Sequence, residues 1–174
     1  MSEHEAASGL STHIDGRVLV LERTFNAPQN MLFQAYSDPD RLTSWWGPKG
    51  WETENRTFEF KPEGTWHYCM RCTDKSQGDF YGQESWGKAI FHEIAEPQKI
   101  VYTDVFSDEE GNAVSGMPEM EIMIEFKENG EKTRLVVTTE FATEEQLKEI
   151  LGMGMIEGFN SQLDRLDDLL EKQQ

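Results

Sequence analysis

The chain has 174 residues, 16 Lys and Arg against 33 Asp and Glu, and a net charge of -17. That length is one domain's worth, and a 37% apolar content is enough to build a core without staples. The acidic balance excludes a sequence-independent hold on nucleic acid or on an anionic membrane surface, because both need Lys and Arg against phosphate.

The acidic excess lies mainly in residues 1–15, 107–131 and 143–174, so the stretch between the first two is close to neutral and rich in aromatics. A solvated acidic surface is the plain reading of such blocks. No run approaches the ~20 apolar residues that span a bilayer. The start, Met1-Ser2-Glu3-His4-Glu5, is acidic where a signal peptide is basic and then apolar. Membrane insertion is therefore not expected, and the expected location is the cytoplasm. Cys69 and Cys72 are too close together for a long-range disulfide framework.

Residues 1–15 show no periodicity and few large apolar groups, which predicts a disordered tail, with one domain over 16–174. Arg17 to Phe25 is β-branched and aromatic-rich and reads as a strand. Pro28 suits the first turn of a helix, with Asn26 as its cap and Met31, Leu32, Ala35 and Tyr36 at helical spacing. A second short turn runs through Arg41, Leu42 and Thr43. Trp45-Trp46-Gly47-Pro48 must be a loop, with one indole packed inward and the other facing a cavity mouth or a partner.

From Glu52 to Phe141 the apolar period is two: Trp66, Tyr68 and Met70, then Met120, Ile122, Ile124 and Phe126, then Leu135, Val137, Thr139 and Phe141. The breaks between these segments are too short for helical crossovers, so neighbouring strands pair antiparallel as a meander. With the first strand, the expected segments are 17–25, 52–60, 64–73, 80–94, 98–107, 118–128 and 132–142. Thr143 and Gln146 form a capping pattern, and Met155, Phe159, Leu163, Leu166 and Leu170 make one amphipathic helix of 143–171. Gly152, Gly154 and Gly158 each cost up to ~1 kcal/mol relative to Ala in a helix interior, which close approach to a sheet or ligand offsets unless the helix kinks there. The fold class is α+β: a strongly bent antiparallel sheet of six to seven strands around a long C-terminal helix, with a cavity between them.

Six segments also carry a family resemblance: Glu22 to Pro28, Trp45 to Pro48, Gly64 to Met70, Glu93 to Thr103, Lys132 to Leu135, and Gly158 to Leu166. In this order they resemble the bacterial branch of the activator of heat-shock protein 90 ATPase homologue family, of the START-like or SRPBCC superfamily with the helix-grip fold. The resemblance implies a helix-grip domain and, from superfamily relatives, the binding of lipid-like, flavonoid-like or polyketide-like molecules. It also implies a chaperone as a second kind of partner. The separate N-terminal chaperone-binding domain of the eukaryotic activator has no counterpart in this sequence, which weakens that expectation.

On this basis the expected ligand-pocket residues are Trp46, Trp66, Tyr68, Met70, Trp86, Tyr102, Met120, Ile122, Met155 and Phe159. The strand faces supply aromatic and thioether surface with polar tips to orient a ligand. Cys69-x-x-Cys72 reads as plain strand sequence. Positions three apart on a strand face opposite ways, and a zinc site needs further ligands at matching spacing. No metal and no cofactor is expected. No nucleophile elbow, phosphate loop or paired-histidine helix is present, so no catalytic residue is assigned. His67, His92, Glu84, Glu93 and Asp104 are the ionisable groups whose facing awaits strand register. The expected function is non-catalytic binding of a small hydrophobic molecule. A chaperone-interacting module and a cyclase- or hydrolase-type enzyme are the alternatives, and two ionisable groups within hydrogen-bond reach in the cavity would favour the enzyme. The oligomeric state is left open.

Overall fold

The structure is a computed structural model that describes residues 9–173 and the main chain of 2–5. Its strands are β1 (Ser2–Glu5), β2 (Ser11–Asp15), β3 (Val18–Phe25), β4 (Trp51–Phe58), β5 (Thr65–Cys72), β6 (Glu84–Ala95), β7 (Lys99–Phe106), β8 (Glu119–Asn129) and β9 (Lys132–Glu140). The helices are α1 (Gln29–Ser37), α2 (Pro39–Thr43), α3 (Glu144–Gly152) and α4 (Met155–Lys172), with a 3-10 turn at Lys75–Phe80.

All neighbours pair antiparallel in the order β1-β2-β3-β9-β8-β7-β6-β5-β4. The single out-of-sequence neighbour is β9 beside β3. The β3 to β4 connection therefore crosses from one flank of the sheet to the other, carrying α1 and α2 across one end. Irregular register at Asn55/Thr57 and Phe91/Glu93 bends the sheet, because an unpaired residue adds local twist.

Among the described residues the sheet has nine strands, eight from Ser11 onward plus Ser2–Glu5, not the expected six to seven. The seven expected segments are all present. The additions are β1 and β2, both inside the segment expected to be a disordered tail; β2 escapes a pattern reading because Ser11 to Asp15 contains one large apolar residue, Ile14. The order of β2 comes from the ladder to β3, from the buried Leu10 just before it and from the buried Thr12 within it. Met1 and residues 6–8 lie outside the described residues.

The expected helix of 143–171 is two helices. Gly154 stands at φ 84°, a left-handed conformation that glycine adopts at little cost, and it precedes α4. Thr143 does cap α3, its side chain accepting from the Gln146 N–H at 3.1 Å. At α1 the cap position is Pro28, with no side-chain cap in place of the expected Asn26.

Helix α4 lies in the concave face of the sheet. Leu163, Leu166 and Leu170 are buried there, each worth ~1.5–3 kcal/mol of apolar burial. Arg23 of β3, itself buried, clamps the helix by donating to Asn160 Oδ1 at 3.1 Å and Asp164 Oδ1 at 2.8 Å. Beneath α1 and α2 an aromatic layer of Phe33, Tyr36, Trp45 and Phe126 packs edge to face. One end of the grip is therefore solid, and the space that remains lies toward the first turns of α4. No helix among the described residues is long and apolar enough to cross a membrane.

Candidate ligand-binding cavity

Between the concave sheet face and α4 lies a cavity of about 240 Å³. Drug-sized ligands occupy ~300–1,000 Å³, so this one suits a smaller molecule. Its walls come from β5 (Tyr68, Met70), β7 (Tyr102, Asp104, Phe106), β8 (Met120, Ile122, Ile124), the Trp46 loop, Tyr36 of α1, and Met155, Gly158, Phe159 and Gln162 of α4. Strand alternation produces this set: residues two apart on β5, β7 and β8 face the same way, and antiparallel register stacks them, Tyr102 opposite Ile122 and Asp104 opposite Met120.

Nine of the ten expected pocket residues border the cavity: Trp46, Tyr68, Met70, Trp86, Tyr102, Met120, Ile122, Met155 and Phe159. Trp66 does not. It faces the same way as Tyr68, but Trp46 packs over it at 4.7 Å between ring centroids and its indole N–H donates to Asn55 Oδ1 at 2.8 Å. Trp86 borders the cavity, yet its indole lies on the other sheet face, against the His67 ring at 5.3 Å and beneath the Arg56 guanidinium at 4.9 Å. The register explains this, because Trp86 is opposite the outward-facing Cys69.

The two loop indoles depart from expectation in another way. Both are buried, Trp45 behind the cavity with its N–H donated to Ala35 O at 3.0 Å, and Trp46 in the cavity wall. Adjacent indoles can both point inward because Trp45 continues the turn of α2 and Trp46 crosses it edge to face at 5.3 Å. Arg165 of α4 holds this loop. Its Nη1 donates to Trp46 O (3.2 Å), Gly47 O (2.8 Å), Pro48 O (3.3 Å) and Trp51 O (3.0 Å), and Nη2 reaches Ser44 O at 3.3 Å. Burial of this guanidinium lowers its pKa, partly offset by the Glu52 charge.

The helix glycines do not serve a close approach. A Cβ at Gly152 or Gly158 would meet nothing within 4 Å, and Gly158 lines the cavity. Its missing side chain is volume in the cavity. On the sheet the opposite holds at Gly87, where a Cβ would come 2.4 Å from the Tyr68 hydroxyl. Gly87 lets the Tyr68 ring lie flat across β6 and reach Asp104, whose two oxygens accept from its hydroxyl at 3.4 Å each.

Of the ionisable groups awaiting register, only Asp104 enters the cavity wall. His67 meets the carbonyl of Asp108 at 3.1 Å on the outer face, His92 bonds Thr103, Glu84 pairs with Arg71 and Glu93 with Lys99. Burial pushes the Asp104 carboxyl up to about 7, with the Tyr68 hydroxyl and the Val105 N–H pulling the other way. Burial also raises Tyr68 and Tyr102 well above the ordinary phenol value, and the Asp104 charge adds to both. Cys69 and Cys72 are free, buried thiols on opposite faces of β5, as alternation requires. Among the described residues no cluster of three or more His, Cys, Asp or Glu side chains could hold a metal ion.

Tyr36 and Gln162 are cavity residues that sequence reasoning missed as polar contributors. Tyr36 was legible as helix core. Gln162 lay inside a quoted motif but off the apolar stripe, and no period marks a lone polar residue turned inward.

The sequence profile of the family described as Activator of Hsp90 ATPase homolog 1-like protein matches residues 26–171. The chain belongs to this family. Solved structures similar to this family member include protein Ms6760 from Mycobacterium smegmatis, 27% identical with a TM-score of 0.81, covering 97% of each chain. A protein from Arthrobacter aurescens is 26% identical, TM-score 0.83, over 92% of this chain and 91% of its own. One from Staphylococcus epidermidis is 26% identical, TM-score 0.79, over 94% of each. No curated protein matches the sequence. The Hsp90-activator-homologue domain thus carries the expected α+β helix-grip architecture, with the cavity in the place that architecture provides.

Proposed function

We propose that this protein binds a small, mostly apolar molecule in the cavity between β5, β7, β8 and α4, without acting on it chemically. The observation that carries this reading is the cavity of about 240 Å³, walled by Trp, Tyr, Met, Ile and Phe side chains and enlarged by a glycine at position 158 that serves no packing purpose. An apolar concavity with a few convergent polar groups is the form a small-molecule site takes.

The test is titration with 2-ethylnaphthalene, followed by the NMR signals of the Trp46 indole and by tryptophan fluorescence. Saturable shifts at Trp46 are expected. Gly158→Leu fills the cavity from the helix side and should abolish them while the protein stays folded. Absence of saturable binding, or equal binding by Gly158→Leu, removes the reading.

One observation favours a second reading. Asp104 and Tyr68 face the cavity within 3.4 Å of each other, which is the ionisable pair that proton-transfer chemistry needs. In that case the acetyl protons of 2-acetylnaphthalene should exchange with D2O faster in the presence of the protein than with Asp104→Asn. Equal exchange leaves binding alone.

A further inference from the structure

The cavity wall contains one carboxyl, that of Asp104, and no Lys, Arg or His side chain. Asp104 shares the inward face of β7 with Tyr102, yet it is only half-buried where Tyr102 is buried. The surface it keeps is turned to the cavity it lines. A carboxylate offers about four lone-pair positions. At Asp104 the Val105 N–H takes one, and the Tyr68 hydroxyl stands at a long 3.4 Å from both oxygens. Interior polar groups are hydrogen-bonded and interior charges are paired. Among the described residues no basic side chain acts on this carboxyl, so a countercharge has to come from outside the wall.

Two further features select the same sign. The wall around Asp104 is aromatic, with Trp46, Tyr68, Tyr102 and Phe159 in it, and aromatic ring faces attract cations and repel anions. The charge of -17 concentrates cations around the molecule and depletes anions, whatever the site. An anion is therefore disfavoured twice, and a plain hydrocarbon leaves the carboxyl without a donor.

We propose that the cavity takes a small organic ammonium, its N–H groups donating to the Asp104 carboxylate and its apolar body lying among Met120, Ile122 and Phe159. This rests on the cavity being a ligand site. An ammonium N–H to a carboxylate is a charge-assisted bond, about twice as strong as a neutral one. It requires the ionised carboxyl, whereas burial holds Asp104 near 7, so the amine should bind better as pH rises. The other titratable groups facing Asp104 are Tyr68 of β5, Tyr102 of β7 and Tyr36 of α1, all raised by burial and neutral in this range. Its neighbours on β6 and β8, Ala89 and Met120, do not titrate.

The experiment compares 2-naphthylmethylamine with 2-ethylnaphthalene, which differ by NH3+ against CH3, on the wild-type protein, Asp104→Asn and Gly158→Leu. Asp104→Asn should weaken the amine about 10- to 100-fold at pH 8, as the loss of a charge-assisted bond implies, and should not weaken the hydrocarbon. Wild-type affinity for the amine should rise by up to about 10-fold from pH 6 to pH 8, and that rise should vanish in Asp104→Asn. Gly158→Leu should abolish binding of both probes. If Asp104→Asn changes both probes by the same factor, or if the amine shows no rise with pH, the ammonium site falls while the cavity reading stands. Equal amine binding by Gly158→Leu would place the cation on the acidic surface and also overturn the site. If neither probe binds the wild-type protein, both readings fall together.

Discussion

Asp104 sets the electrostatic character of the cavity. Its carboxyl is pushed up to about 7 in the folded protein, against ~3.9 in an unfolded chain. Between those values the native state holds a proton that the unfolded state has released. This contribution to stability is therefore fully present below about pH 4 and is lost as pH rises through about 7. At pH 8, Asp104→Asn should be more stable than wild type by up to ~4 kcal/mol, since each pH step between ~3.9 and about 7 is worth ~1.4 kcal/mol. The two proteins should converge at pH 4. Paired chemical denaturation curves at the two pH values check this, and a constant difference between them refutes it. The groups facing Asp104 are Tyr68 across the sheet and Tyr102 on its own strand, both neutral over this range. Gly87 is the second residue whose replacement is informative. Gly87→Ala drives a methyl into the Tyr68 ring and should cost ~1–3 kcal/mol by overpacking, with loss of the Tyr68–Asp104 contact. A thermal melt together with the Asp104 titration reads both effects.

At the scale of elements, α4 does two jobs with residues one turn apart: it closes the cavity through Phe159 and Gln162 and pins the Trp46 loop through Arg165. Arg165→Met keeps much of the apolar stem and removes the carbonyl cage. It should cost ~2–3 kcal/mol, the scale of hydrogen bonds to a charged group, and should raise amide exchange selectively over residues 44–51. Uniform exchange across the chain would contradict a local cage. Gly158→Ala tests the helix from the other side. Its methyl meets open space, so the change should stabilise by ~0.5–1 kcal/mol through helix propensity and shrink the cavity. Most elements were legible in the sequence because half-buried strands announce themselves by period two. β2 was not, since its order is held by main-chain pairing that Ser11-Thr12-His13 does not advertise. The helix break was half legible: the three glycines stood out, but only backbone geometry shows that Gly154 ends one helix and that Gly158 leaves space.

For the whole molecule, the cavity wall followed from the same alternation, as Tyr102, Asp104 and Phe106 share a face with Tyr68 and Met70. What alternation could not supply was occlusion, and so Trp66, on the right face, is covered by Trp46. The charge of -17 lies elsewhere: Glu121 and Glu140 stand opposite each other on β8 and β9, one bonded by Thr103 and the other paired with Arg17. Self-repulsion of this kind is screened as the Debye length falls from ~30 Å to ~8 Å. The melting temperature should therefore rise between 0.01 M and 0.15 M NaCl in proportion to screening. A flat salt profile would mean that local pairs already balance the surface.

The break between α3 and α4 has a consequence for kinetics. Met153 is solvent-exposed, Gly154 carries the reversed backbone, and the turn that follows has no side chain capping it. That turn contains Met155 and leads into Gly158 and Phe159, which form one wall of the cavity. If the cavity holds a molecule as proposed, unwinding of four residues at this joint would open a passage, while Arg23 and Arg165 would keep the remainder of α4 seated. On that reading the exchange rate of a ligand should follow amide exchange at residues 155–158 and be independent of global unfolding.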